Sequence, residues 1–332
     1  MSKAIIRASG IVAGLALAGA TLAGCSTPEP AATTDPVSSG PVAADIVIGT
    51  GGQLSNADIF LGISEGFFDE ESLTATTSIL TAGSDAIPLL LKGDLTFATV
   101  DMATAISATQ QNVGIVTIAP NTAGIGDAVG YAGIVAGADS GITRPKDLEG
   151  KKVQVNQLGG TAEVLTRASI IKDGGDVDKV QFVEIAPPEA IPALQSGQID
   201  AAVLGEPLVS IAKGLGFKYI FNPEETTVPG LPTFVFVASK SFAEANPEVV
   251  AEFTRAILKA NAFANANPDA VRETAKTSTT VDPALLAQSA LPLFGETAIT
   301  ADEIDTFIAL LEKYGSLDKA QAPKGADVLY AP

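Results

Sequence analysis

The side chains able to do chemistry in this 332-residue chain are few and of one kind. There is no histidine and one cysteine, Cys25, which removes imidazole bases, Ser-His and Cys-His nucleophile pairs and His/Cys zinc sites. Carboxylates, hydroxyls and amides remain, and they recur in segments 51–56, 81–85, 99–104, 156–163, 186–189 and 204–207. Gln53, Ser55, Ser84, Asn156, Gln157 and Thr161 offer neutral hydrogen-bonding groups there. Asp85, Asp101, Glu163, Glu189 and Glu206 add negative charge, and no Lys or Arg stands among them. Gly51, Gly52, Gly159 and Gly160 permit close backbone approach, and Met102 adjoins Asp101. The inventory suits non-covalent capture of a small molecule, with no metal and no cofactor. Helix capping is the competing use of the Ser55, Ser84 and Thr161 hydroxyls.

The whole chain carries 20 Lys+Arg against 38 Asp+Glu, a net charge of −18, and so lacks the basic footprint of a nucleic-acid binder. Hydrophobic residues at 46% and charged residues at 17% describe a globular chain, long enough for roughly two domains of about 150 residues.

The elements that position these segments alternate. Short apolar runs at 45–49, 95–100, 115–119, 133–135, 152–156, 180–185 and 201–204 are expected as strands, with helices between them and one helix over 56–68. That order predicts parallel α/β sheets, whose ligands collect beyond the strand carboxyl ends where the six segments fall. Residues 86–98 align without gaps on 190–202, with six of 13 positions identical. Each copy reads as a helix with Pro in its first turn, a Gly stop and a strand, which points to two similar lobes. After residue 221 the pattern becomes one strand, 231–238, and helices at 247–264, 268–277, 283–291 and 301–314. Helices without strands must pack on a lobe already formed.

At the N-terminus, Lys3 and Arg7 precede an apolar run that reaches Leu22-Ala23-Gly24-Cys25, the layout of an export signal. The box resembles that of bacterial lipoproteins, which implies a signal peptide at 1–24 and a lipid on Cys25, followed by a Ser/Thr/Pro-rich tether over 25–44. The later apolar stretch 128–138 is about half the length that spans a bilayer.

A family likeness rests on an ordered set of motifs. Gly66-Phe67-Phe68-Asp69-Glu70-Glu71-Ser72-Leu73, Leu91-Lys92-Gly93-Asp94 and Ser140 to Val153, with its Asp147-Leu148-Glu149-Gly150-Lys151-Lys152, come first. Leu194-Gln195-Ser196-Gly197-Gln198-Ile199-Asp200-Ala201-Ala202 and Glu206-Pro207 follow. Together they resemble the solute-binding proteins of nitrate/sulfonate/taurine-type ABC importers, a group that includes thiamine-precursor binders. The resemblance implies an α/β, two-lobed periplasmic-binding-protein-like fold (type II), each lobe a parallel-rich sheet flanked by helices. Lobe I would take residues 45–135 and 231–332, and lobe II residues 136–230. It further implies a non-enzymatic, monomeric receptor, extracytoplasmic and lipid-anchored to the cell membrane, which delivers a solute to a permease and its ATPase.

Within that frame the expected ligand-binding residues are Gln53, Ser55, Ser84, Asp101, Met102, Asn156, Gln157, Gly160, Thr161 and Glu206. Acids without cations disfavour nitrate, and the lack of Trp or Tyr in the six segments disfavours a stacked pyrimidine. A small aliphatic zwitterion of the taurine or sulfonate type fits best, its acid group on helix N-termini and its amine beside Asp101 or Glu206. The alternatives are a pyrimidine-precursor binder or enzyme, and a ligand-sensing receptor uncoupled from transport.

Overall fold

A computed structural model describes residues 43–51, 53–80, 85–123, 131–278, 282–315 and 317–331. Cys25, Ser84, Gly52, the signal peptide and most of the tether lie outside them. In chain order the first elements are β1 (Ala44–Thr50), α1 (Ala57–Ser64), α2 (Phe67–Glu70), β2 (Leu73–Ile79), α3 (Ala86–Lys92), β3 (Phe97–Asp101), α4 (Met102–Gln110), β4 (Ile115–Pro120) and β5 (Thr122–Ala123). A second series follows: β6 (Ala132–Ala136), β7 (Lys152–Val155), α5 (Thr161–Lys172), β8 (Gln181–Glu184), α6 (Pro187–Gln195), β9 (Ala201–Gly205), α7 (Leu208–Gly214), β10 (Lys218–Phe221) and α8 (Pro223–Thr227). The chain then forms β11 (Phe234–Ser239), α9 (Lys240–Ala245), α10 (Pro247–Ala266), α11 (Pro268–Ser278), α12 (Pro283–Leu286), β12 (Leu293–Phe294), α13 (Ala301–Tyr314) and α14 (Gly325–Val328).

Two five-stranded sheets result, ordered β2-β1-β3-β11-β4 and β10-β6-β9-β7-β8. Each has four strands running one way and one reversed, β11 in the first and β6 in the second. The sheets are therefore parallel-rich but mixed, and the reversed strands are those that follow the two crossings of the chain between sheets. β11 follows from composition: Phe234-Val235-Phe236-Val237-Ala238 is apolar on both faces and is buried from Val235 onward, as a central strand must be.

The repeat occupies equivalent places. β3 and β9 are each the third strand of their sheet, between a parallel neighbour and the reversed strand. The helix stops also match bond for bond. Gly93 (φ 84°) donates to Leu90 O and Asp94 N to Leu89 O, while Gly197 (φ 71°) donates to Leu194 O and Gln198 N to Ala193 O. Both glycines sit in the left-handed region, where a Cβ costs about 1–2 kcal/mol. Gly93→Ala and Gly197→Ala should therefore destabilise by similar amounts, and additively; urea unfolding of the two single variants and the double variant checks this. Pro192 departs from expectation: α6 starts at Pro187, so Pro192 lies inside the helix, not in its first turn.

Other departures have local causes. The helix expected over 56–68 breaks at Gly66 (φ 76°) into α1 and α2. β2 and β10 were not anticipated, because Leu73-Thr74-Ala75-Thr76-Thr77-Ser78-Ile79 and Lys218-Tyr219-Ile220-Phe221 carry too little apolar alternation for an edge strand to stand out. α12 ends at Leu286, short of residue 291.

Packing joins the second sheet's α5 to the first lobe. Val164 and Leu165 are buried in one apolar cluster with Ile304, Phe307, Ile308 and Leu311 of α13 and Ala103 and Ile106 of α4. On the other face of the first sheet, α10 lays Val249, Val250, Phe253, Ala256, Ile257 and Ala260 on Phe97 and Phe236. Among the described residues no helix is long and apolar enough to cross a membrane.

Candidate functional site

Strand β3 runs into α4 without a loop, because Asp101 ends one and caps the other: its Oδ1 accepts from Thr104 N at 3.3 Å. The same oxygen accepts from Thr161 Oγ1 at 2.7 Å and Thr161 N at 3.2 Å, where α5 of the second sheet begins. One carboxylate thus caps two helices, one from each sheet, and Ala103 N returns a bond to Thr161 Oγ1 at 3.1 Å. Beside this junction lies a cavity of about 50 Å³. Asp101 and Phe234 line it from the first sheet, and Gly133, Asn156, Thr161, Leu165, Val203, Asn222 and Glu224 from the second sheet and its helices. Its volume holds a few waters, whereas small-molecule sites run to several hundred Å³, so a solute requires the sheets to separate.

Asn222 caps α8 through Glu224 N at 2.9 Å, with Pro223 in the first turn, and this places Glu224 at the cavity. Burial pushes the Glu224 carboxyl up to about 7, offset in part by the Thr233 hydroxyl against it. Sequence reasoning passed over Glu224; the Asn-Pro-Glu that opens a helix straight after a strand was the available signal. Phe234 was likewise missed and corrects the expectation that the site lacks an aromatic wall.

Of the expected residues, Asp101, Asn156 and Thr161 line the cavity. Gln53 is exposed, Met102 is core, and Gly160 precedes α5, its N–H donating to Gln157 O at 3.3 Å and its carbonyl accepting from Val164 N at 3.1 Å. Glu206 is buried; it accepts from Ser210 N at 3.0 Å and Oγ at 2.8 Å, and from Ala290 N at 3.3 Å. Ser55 belongs to a second polar group around Tyr131, whose phenol bonds to Ser55 and is pushed up by burial, with Glu224, Glu206 and Asp58 adding to the effect. Tyr131 escaped notice within an apolar stretch. Asp58 is fully buried: Oδ2 accepts from Asn121 Nδ2 at 2.8 Å, while Asp58 Oδ1 and Asn121 Oδ1 have no hydrogen-bond partner. Burial pushes Asp58 up to about 7, which the Asn121 bond only partly offsets.

A larger groove of about 450 Å³ runs along α6 between Ile185 and Gln198. It is open and drawn from one segment, so nothing closes over a ligand there.

Residues 54–271 match the family model described as NMT1/THI5 like. The chain belongs to that family. Among curated proteins it is 35% identical over 120 residues to the taurine-binding periplasmic protein of Escherichia coli, covering 36% of this chain and 37% of that one. It is 26% identical over 205 residues to the formylaminopyrimidine-binding protein of Halalkalibacterium halodurans, covering 60% of each. These matches span less than two thirds of either relative. Among solved structures, the alkanesulfonate-binding protein of Xanthomonas axonopodis pv. citri bound to MOPS superposes with a TM-score of 0.70 at 17% identity, over 86% of this chain and 98% of that one. The aliphatic sulphonate binding protein of Escherichia coli gives 0.69 at 16%, over 87% and 92%. At such identities the likeness concerns the fold, and the NMT1/THI5 like chain has the two-sheet periplasmic-binding-protein architecture.

Proposed function

We propose that this NMT1/THI5 like protein is the extracytoplasmic solute-binding component of an ABC importer, which closes its two sheets over a small organic solute and hands it to a permease served by an ATPase. The observation that carries the reading is the cavity built jointly from Asp101 and Phe234 on one side and Asn156, Thr161, Asn222 and Glu224 on the other. A site completed only when two lobes meet is suited to capture and release. The side chains that line it are acids, amides, a hydroxyl and apolar groups, a set suited to non-covalent capture. Thermal-shift screening of the full chain against amines, amino acids, sulfonates, nitrate and pyrimidines tests this: one class should raise the melting temperature by several degrees, and a flat response to all of them would sink the reading.

A pyrimidine is the second reading, favoured by Phe234, an aromatic residue that lines the cavity together with two carboxylates. The Leu-Ala-Gly-Cys box supports a lipid anchor on Cys25 that tethers the protein to the membrane. Cys25→Ala should abolish metabolic labelling with a radioactive fatty acid; equal labelling of the variant would refute the anchor.

A further inference from the structure

The end of α4 that would receive an anion in this cleft is already taken, and we infer that the group the cleft selects is a positively charged nitrogen bearing N–H donors, not an anionic head. The inference rests on the solute-binding reading above and specifies its ligand class.

The first-turn N–H groups of α4 are fully used. Met102 N donates to Thr233 O at 2.9 Å, Ala103 N to Thr161 Oγ1 at 3.1 Å and Thr104 N to Asp101 Oδ1 at 3.3 Å. At α5, Thr161 N is held by the same Asp101 oxygen at 3.2 Å, so an anion on the remaining first-turn N–H groups, those of Ala162 and Glu163, would lie beside the Asp101 carboxylate. Asp101 therefore sits where the acid group of a sulfonate or nitrate would sit, tethered to the chain and at high effective concentration. An anion would have to displace it and then lie beside the displaced charge.

Glu224 lines the same cavity, and among the described residues no Lys or Arg lines it. Its carboxyl is raised by burial, the state of an acid that lacks a counter-charge. Thr233 is buried and its hydroxyl has no hydrogen-bond partner. A cationic N–H group entering between Asp101 and Glu224 would meet two acceptors and draw a proton off Glu224. Phe234 adds an aromatic residue to the wall, a type of side chain that can attract a cation. The rest of the wall, Leu165 and Val203 among it, suits a short apolar body.

The test is a thermal-shift panel on the full chain with matched probes: ethanolamine, spermidine and guanidine derivatives as N–H cations, 4-aminopyrimidine as a largely neutral N–H donor, choline as a cation without N–H, taurine as a zwitterion, and ethanesulfonate and nitrate as anions. The tightest probe is then titrated by calorimetry in two buffers of different ionisation heat. The N–H cations should lead, with release of a fraction of a proton per ligand at pH 7. Glu224→Gln should abolish that release and weaken the cation at least about 30-fold, while circular dichroism stays unchanged. Ethanesulfonate or nitrate binding more tightly than any cation would overturn the inference and leave the solute-binding reading intact. Choline equal to the primary amines would overturn its N–H part. A response to no probe, followed by none in the wider screen, would remove both.

Discussion

Asp58→Asn is expected to stabilise the protein at pH 8 by up to about 4 kcal/mol while changing it little at pH 4, an order-of-magnitude figure from linkage. The wild-type carboxyl has no exposure and one orphan oxygen, and the amide of Asn121 bonded to it has an orphan oxygen as well. A proton retained on Asp58 would complete a cyclic acid–amide pair with Asn121 and satisfy both atoms. The folded value, about 7, lies above the ordinary 3.8, so the stability contribution is fully present below the unfolded value and is lost as pH rises through the folded one. The amide of the Asp58→Asn variant would make the amide–amide version of the pair and has no proton to lose. Glu224 titrates in the same range in both proteins, so the difference between their urea-derived stabilities at the two pH values isolates Asp58. An identical difference at pH 4 and pH 8 would show that Asp58 is charged in the folded state throughout.

Phe253→Ala should cost about 3–5 kcal/mol, the usual range for removing a buried aromatic. Phe253 is the hub of the first sheet's core: its ring stacks on Phe97 with centroids 3.8 Å apart, meets Phe236 edge-on at 5.3 Å and tilts against Phe68 at 6.0 Å. None of these neighbours can fill the space without leaving the sheet or helix that holds it. In a chain of this size the loss corresponds to a fall of roughly 2–4 °C in melting temperature per kcal/mol. Phe253→Leu, which keeps most of the volume, should lose less than half as much. Calorimetric unfolding of the two variants decides it, and a cost under about 1 kcal/mol for the Ala variant would mean that α10 shifts to close the gap.

What could be read beforehand was whatever local chemistry fixes. The repeat at 86–98 and 190–202 announced two similar lobes because a helix stop on Gly is dictated by backbone sterics within a few residues. α13 was legible to the residue, since Thr300 and Glu303 form a reciprocal cap. Asp101 and Thr161 were legible as polar residues at helix starts, but their bond to each other was not, because 60 residues separate them and only the meeting of two lobes brings them together. Glu224, Phe234 and Tyr131 were missed for the same reason. Each belongs to a short or apolar segment whose importance comes from what lies opposite. β2 was missed because Thr serves an edge strand as well as a loop.

The apolar seam formed by Val164 and Leu165 of α5 with Phe307 and Leu311 of α13 bears on how fast a solute can be caught. Together with the Asp101–Thr161 bonds it rewards the shut arrangement in the absence of any solute. If only the open population admits a solute, the apparent dissociation constant is the intrinsic one divided by the open fraction, so a protein open about one-tenth of the time binds about tenfold more weakly than its contacts alone would allow. Trimming the seam, as in Leu165→Ala, would trade residence time for a faster association rate. On the solute-binding reading, the seam would raise the solute concentration at which half of the protein is occupied.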